Sequence, residues 1–142
     1  MAEIPTIQVD IVSAEGELYS GPAAVLFAPA KEGDLGIYPR HAPLLTLLKA
    51  GEVRVQAPDG QEQVFFVGGG VLEVQPQHVT VLADTGLRAR DIDEAAALAA
   101  KQRAEEALAQ RGGHMTEAEA LAELSRVAAM MKVLKRLRDQ RG

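Results

Sequence analysis

His41, His78 and His114 are the side chains best suited to acid–base or metal chemistry near neutral pH. No two of them stand at a metal-ligand spacing, and the chain has no cysteine to supply a thiolate. Gly68-Gly69-Gly70 suggests a phosphate loop. A phosphate cradle, however, needs a glycine-rich turn that opens a helix, so that backbone N–H groups point at the anion. Here the strand-like run Val71-Leu72-Glu73-Val74 follows, and no Gly-Lys-Ser or Gly-Lys-Thr is present. The three glycines therefore mark a bulge or a close backbone approach. No serine sits in a nucleophile-elbow context, and no carboxylate pair stands apart from solvated charge. These residues predict a protein that is not an enzyme, with no cofactor and no metal.

Two other features stand out. Gly33 to Leu45 packs two glycines, two prolines and His41 into thirteen residues. That composition predicts a constrained loop entering an apolar strand, which is either a recognition loop or an elaborate turn of the strand domain. Within it, His41 reads as a hydrogen-bonding structural residue. The second feature is charge asymmetry. Residues 126–141 carry Arg126, Lys132, Lys135, Arg136, Arg138 and Arg141 against Asp139 alone, a net +5. The whole chain is −5, so the remainder carries −10. Such a tail either docks on an acidic partner or is a solvated helix end whose cations complement the helix dipole.

These features must be positioned by two segments of different period. Residues 1–86 read as strands. Ile7, Val9 and Ile11 alternate with Gln8 and Asp10, the period of a half-buried strand. Ala23 to Phe27 is a short apolar run closed by Pro29. Val53 and Val55 lead into Asp59-Gly60, a two-residue hairpin turn, and Val64 to Val67 returns from it. Val71–Val74 and Val79–Ala83 form a further pair across Gln75 to His78. The predicted domain is an antiparallel β-sandwich or flattened barrel.

Residues 87–142 read as helices. Asp91 is the expected cap of the first, with Glu94 three residues on. Gly112-Gly113 ends it, and Thr116 opens the second. Leu121, Leu124, Ala128, Met131 and Leu134 recur at helical steps as its apolar face. A short link predicts an antiparallel two-helix hairpin. The alanine-rich first helix buries little apolar area, so the hairpin is either a weakly held, movable subdomain or a fixed one. Met1 to Asp10 lacks the basic segment and apolar run of a signal peptide, and no apolar stretch approaches the ~20 residues of a membrane span.

The segment Gly33-Asp34-Leu35-Gly36-Ile37-Tyr38-Pro39-Arg40-His41-Ala42-Pro43-Leu44 resembles the signature of epsilon subunits of bacterial F-type ATP synthases. Val9 to Glu15, Gly69 to Val74 with Val79 to Asp84, and Asp91 to Ala95 match the same family in order. The resemblance implies a central-stalk rotor subunit. Its sandwich would bind the gamma subunit and rest on the loops of the c-ring, with Glu32, Asp34, Tyr38, Arg40 and His41 facing the ring. Its hairpin would lie folded or extend along gamma with the alpha and beta subunits as partners, where Arg126, Lys132, Lys135, Arg136 and Arg138 would meet acidic segments of the beta subunits and brake ATP hydrolysis. The expected place is the cytoplasmic face of the bacterial membrane, peripheral, held only through the complex and without nucleic acid. Some relatives bind ATP through an Ile/Leu-Asp-x-x-Arg-Ala motif. Here Ile92-Asp93-Glu94-Ala95-Ala96-Ala97 keeps Asp93 but has Ala96 in place of the arginine. Loss of that guanidinium removes a contact of roughly 1.5–3 kcal/mol, which Arg103 would offset only in part, so ATP is not an expected ligand. The competing reading is a generic β-sandwich binding module with a helical interaction tail.

Overall fold

The computed structural model describes residues 4–109 and 116–141. It divides into two compact units, one through Arg88 and one from Ala89 onward. The first holds eight strands, β1 (Ile7–Ser13), β2 (Gly16–Ala23), β3 (Val25–Ala30), β4 (Gly33–Ile37), β5 (Leu44–Gln56), β6 (Glu62–Val74), β7 (His78–Ala83) and β8 (Gly86–Arg88). They lie in the order β2-β1-β7-β6-β5-β3-β4, with β8 also paired to β6. The sheet does not close on itself.

The alternation read at the start of the chain is seen along β1, whose Ile7, Val9 and Ile11 are fully buried while the residues between them are half-buried. Isoleucine and valine suit a pleated, half-buried surface, and the same logic buries Val53, Leu72 and Val79 in the common core. The long strands β5 and β6 carry the architecture. The lower part of β6, Gly70–Val74, pairs with β7, whereas Phe65–Val67 pairs with β8. Where the one stretch gives way to the other stand Gly69 and Gly70, at φ 107° and 142°. A Cβ on Gly70 would lie 2.1 Å from the Leu82 carbonyl oxygen, so the triple glycine is indeed a close approach of two backbones.

Several elements differ from expectation. Not every neighbour is antiparallel, because β1 runs parallel to β7, with Val9 opposite Val79. Val53 to Val55 and Val64 to Val67 belong to thirteen-residue strands rather than short ones. The turn between them spans residues 57–61, where the Ala57 N–H donates to Gln61 O and Gly60 stands at φ 89°. Asp59 accepts from the Gln61 N–H, which favours this wider turn. Pro29 does not close β3. The strand continues to Ala30 through a register shift against β5 between Phe27 and Ala30, so the missing proline N–H is not needed in that ladder. The constrained segment also contains a strand, since Gly33 to Ile37 is β4.

The second unit opens with a 3-10 turn, Ala89–Asp91, followed by α1 (Glu94–Ala109) and α2 (Glu117–Arg141). The cap of α1 is Asp93, not Asp91. Its Oδ1 accepts the Ala96 N–H at 3.1 Å, because Asp91 is used in the 3-10 turn. Thr116 caps α2 as expected, accepting the Glu119 N–H at 3.1 Å. Gly112-Gly113 lies outside the described residues. The helices pack on each other, and Arg138 near the end of α2 reaches Glu94 at the start of α1 at 3.5 Å, so they are antiparallel. Ala97, Ala100 and Ala104 are the buried residues of α1. On α2 the buried stripe is Ala120, Val127, Met130 and Val133, displaced from the expected face, and Leu121 is exposed. Steps of three and seven along the buried stripe and of three and four along the expected one both suit a helical face, so periodicity alone does not choose between them.

Replacing Gly70 by Ala drives a methyl group into the Leu82 carbonyl at a positive φ. We expect a loss of about 2–5 kcal/mol in thermal or urea unfolding. Gly60→Ala, where nothing lies within 4 Å of the added Cβ, should lose only about 1 kcal/mol.

Candidate functional site

The residues singled out between Glu32 and His41 do not form one cluster. Glu32 is exposed in the β3–β4 turn and Asp34 is exposed on β4. Tyr38, Arg40 and His41 follow the other end of that five-residue strand, about 16 Å along its axis at ~3.3 Å per residue. Tyr38 is 59 % exposed. The Arg40 N–H donates to Pro76 O at 2.8 Å, which ties this loop to the β6–β7 connection, and the His41 N–H donates to Tyr38 O at 3.2 Å. His41 Nδ1 lies 2.7 Å from the Ala42 carbonyl oxygen, consistent with its reading as a hydrogen-bonding residue of the loop.

An apolar strip joins these two ends. Leu45 and Leu47 on β5 are 70 % and 51 % exposed. Leu47 stands opposite Val71 on β6, and Val71 opposite Leu82 on β7, itself 50 % exposed. One shallow groove here is lined by Lys31, Glu32, Leu45, Thr46, Leu47 and Val71. A second, lined by Pro43, Leu44, Leu45, Glu73 and Gln75, shares Leu45 with it. Sequence reasoning missed this strip. The available signal was the run Leu44-Leu45-Thr46-Leu47-Leu48, which puts leucine on both faces of a strand whose other face already fills the core.

A polar cluster lies elsewhere on the strand unit, built by the parallel β1–β7 pair. His78 Nε2 is 2.6 Å from Asp10 Oδ2, and the Ser20 hydroxyl donates to Asp10 Oδ1 at 2.6 Å. Gln8 Nε2 donates to both Asp10, at 3.3 Å, and Ser20, at 3.2 Å. The carboxylate stands between hydroxyl and imidazole, so this set does not place a base on the serine oxygen and is not a nucleophilic triad. The Ser20 hydrogen bond is the largest cause holding the Asp10 carboxyl below its ordinary range. Partial burial opposes it, and the His78 contact assists.

The cations of α2 fall into two groups. Arg126 is half-buried and engaged by Glu123 through Nη2–Oε1 at 2.6 Å and Nε–Oε2 at 3.2 Å. The hydrogen bond from Arg126 holds the Glu123 carboxyl low against burial, helped by the charges of Arg126 and Arg103. Arg138 pairs with Glu94, and Arg136 is half-buried. Lys132 and Lys135 are exposed. The side chain of Arg141 lies outside the described residues. No group of three or more His, Asp or Glu suited to a metal ion occurs among the described residues, and no helix of them is long and apolar enough to cross a membrane.

Together these features define a protein that presents an exposed apolar strip on a strand unit and a cationic helix on an antiparallel helix pair, a design for docking on other chains. The chain belongs to the ATP synthase delta/epsilon chain family. Residues 6–89 match the family's beta-sandwich domain and residues 90–135 its long alpha-helix domain. A protein of Nitrosococcus oceani named ATP synthase epsilon chain is 61 % identical over 96 % of this chain and 98 % of its own. One of the same name from Alkalilimnicola ehrlichii is 59 % identical over 94 % and 95 %. Among solved structures, a chain of the Euglena gracilis mitochondrial ATP synthase, described as OSCP/F1/c-ring, shares the fold at TM-score 0.80 and 19 % identity, covering 94 % of this chain and 84 % of that one. A chain of the Tetrahymena thermophila central stalk and c-ring aligns at TM-score 0.61 and 14 % identity, covering 92 % and 98 %.

The depressed Asp10 carboxyl gives a signed pH dependence. Its stabilising contribution is present above about pH 4 and is lost as pH falls through its lower folded-state value. Asp10→Asn should therefore be less stable than the parent at pH 7, with the difference shrinking toward pH 2–3 in melts across that range.

Proposed function

We propose that this chain is the epsilon-type rotor subunit of an F-type ATP synthase at the cytoplasmic face of a bacterial membrane. It couples the turning gamma subunit to the c-ring without itself turning over nucleotide. The exposed strip Leu45–Leu47–Val71–Leu82 is what most supports this role. It lies on an otherwise well-packed strand unit, and each of its leucines leaves half or more of its surface exposed. Exposed apolar residues in register across three strands suit a permanent protein partner, and we assign gamma to it. Glu32 and Asp34 at one end of β4 would face the ring, and Tyr38, Arg40 and His41 at the other end would border the gamma contact where it approaches the ring.

The helix pair is the regulatory part of this proposal. Extended, α2 would carry its cations to acidic segments of the alpha and beta subunits and resist rotation in the hydrolysis direction. The ion pairs refine which cations are available. Arg126 and Arg138 already have acidic partners within the helix pair, so Lys132 and Lys135 lead the encounter. Arg136 contributes from a half-buried position.

Two experiments test the two halves separately. Leu45→Ser with Leu47→Ser should leave the melting temperature nearly unchanged, because both side chains are exposed. The same double variant should weaken binding to gamma by about 10- to 100-fold. Affinity equal to the parent's would refute the strip as the gamma surface. For the helices, Lys132→Ala with Lys135→Ala should relieve inhibition of hydrolysis in reconstituted enzyme while gamma binding is kept. Raised salt should weaken the parent's inhibition in the same way, since exposed charges are screened over about 10 Å at 0.1 M. Full inhibition by the double variant would assign the brake to shape, acting through residues such as Leu121.

A further inference from the structure

Among the described residues, Arg40 is the only residue other than glycine at positive φ, 67°. It sits in Tyr38-Pro39-Arg40-His41, where the His41 N–H closes on Tyr38 O at 3.2 Å. Proline second, positive φ third and a hydrogen bond from fourth to first is the pattern of a type II turn, whose third position favours glycine or asparagine. An arginine there raises the free energy of the folded chain, because its Cβ crowds the backbone in the left-handed region. The 2.8 Å bond from the Arg40 N–H to Pro76 O helps hold it in place. Nothing inside the described structure uses the side chain in return. It is exposed, and among the described residues it makes no ion pair. Arg54, by contrast, is held by Glu52 and Glu62 and lies over the Phe27 ring, and Arg88 donates to the Leu18 carbonyl.

We propose that Arg40 is a recognition anchor, kept at a strained turn position so that its guanidinium engages a carboxylate of the partner seated on the Leu45–Leu47 strip. The inference rests on that strip being the gamma surface. The Arg40 loop runs directly into the groove that contains Pro43, Leu44 and Leu45. Its neighbour Tyr38 is 59 % exposed. Arginine and tyrosine are the side chains most enriched at binding hot spots, and both stand beside the apolar centre. The planar guanidinium fork fits a carboxylate through two parallel hydrogen bonds, which a lysine ammonium cannot reproduce. A turn fixed by Pro39 and by the bond to Pro76 presents that fork at a set height, so little ordering remains to be done on binding.

The test uses the full chain with Arg40→Gly, Arg40→Ala and Arg40→Lys. Melting temperature is read on the free protein and affinity is read against purified gamma at low and raised salt. Arg40→Gly should melt a few degrees higher, about 4–8 °C for a unit of this size, because glycine relieves the strain. Arg40→Ala keeps the strain and should show no such gain. Both should bind gamma about 10- to 100-fold more weakly, with a flatter salt dependence, and Arg40→Lys should recover only part of the loss. Two results overturn the proposal. One is Arg40→Gly and Arg40→Ala binding gamma as tightly as the parent. The other is sedimentation of the parent, but not of Arg40→Ala, with vesicles of phosphatidylserine, which would make the ligand a lipid headgroup. The Leu45→Ser, Leu47→Ser variant separates the levels. If it loses affinity while the Arg40 variants do not, the anchor alone is wrong. If it too binds normally, the strip is wrong as well.

Discussion

The thirteen-residue strands β5 and β6 pair along almost their whole length, and the other strands join that ladder directly or through intervening strands. Its weak point is deliberate. At Gly69 and Gly70 the backbone takes positive φ, and Gly70 comes so near the Leu82 carbonyl that no side chain fits. This close approach brings β7 onto β6, and β7 in turn receives β1 in parallel and places Asp10 beside His78. The core, the outer apolar strip and the polar cluster all depend on backbones that only glycine lets so close.

Strands with apolar residues on both faces give the unit two jobs. Inward residues such as Val53, Phe65 and Leu72 are wholly removed from water and stabilise the fold. Outward residues such as Leu45 and Leu82 leave half or more of their surface in water. Covering that strip would remove further apolar surface from water, which is the ground for the proposed gamma contact. The helix pair follows the opposite logic. Its buried residues are largely alanines, with Val127, Met130 and Val133 the larger exceptions, and long charged side chains make pairs within it. Alanine contacts remove little apolar area, so the seam between α1 and α2 is held by less burial than the strand core.

Charge is arranged to match. The strand unit is acidic, and the cations of the chain concentrate toward its end. On α2, however, formal charge overstates what a partner would meet. Glu123 holds Arg126 through two short hydrogen bonds, and Glu94 lies against Arg138. Lys132 and Lys135, by contrast, are exposed.

The sequence by itself determined the class of each half, the period-two burial of β1 and the Thr116 cap, and it narrowed the triple glycine to a bulge or a close approach. These are local matters: they follow from side-chain alternation, a hydroxyl beside an N–H, and the one residue without a Cβ. It also carried the family resemblance, because the motifs stand in order along the chain. Other features were decided only by tertiary structure. The parallel β1–β7 pairing brings Asp10 against His78, 68 positions away, and nothing in either segment announces the other. The buried stripe of α2 was ambiguous because two stripes fit one helical period. Asp93 replaced Asp91 as the cap because a 3-10 turn took up the preceding residues. The apolar strip became visible only once Leu47, Val71 and Leu82 were set side by side, since each alone looks like one more strand leucine or valine. Arg40 carries the same lesson: its identity is ordinary, and only the positive φ at its place in the turn marks it, because strain belongs to a conformation and not to a residue type.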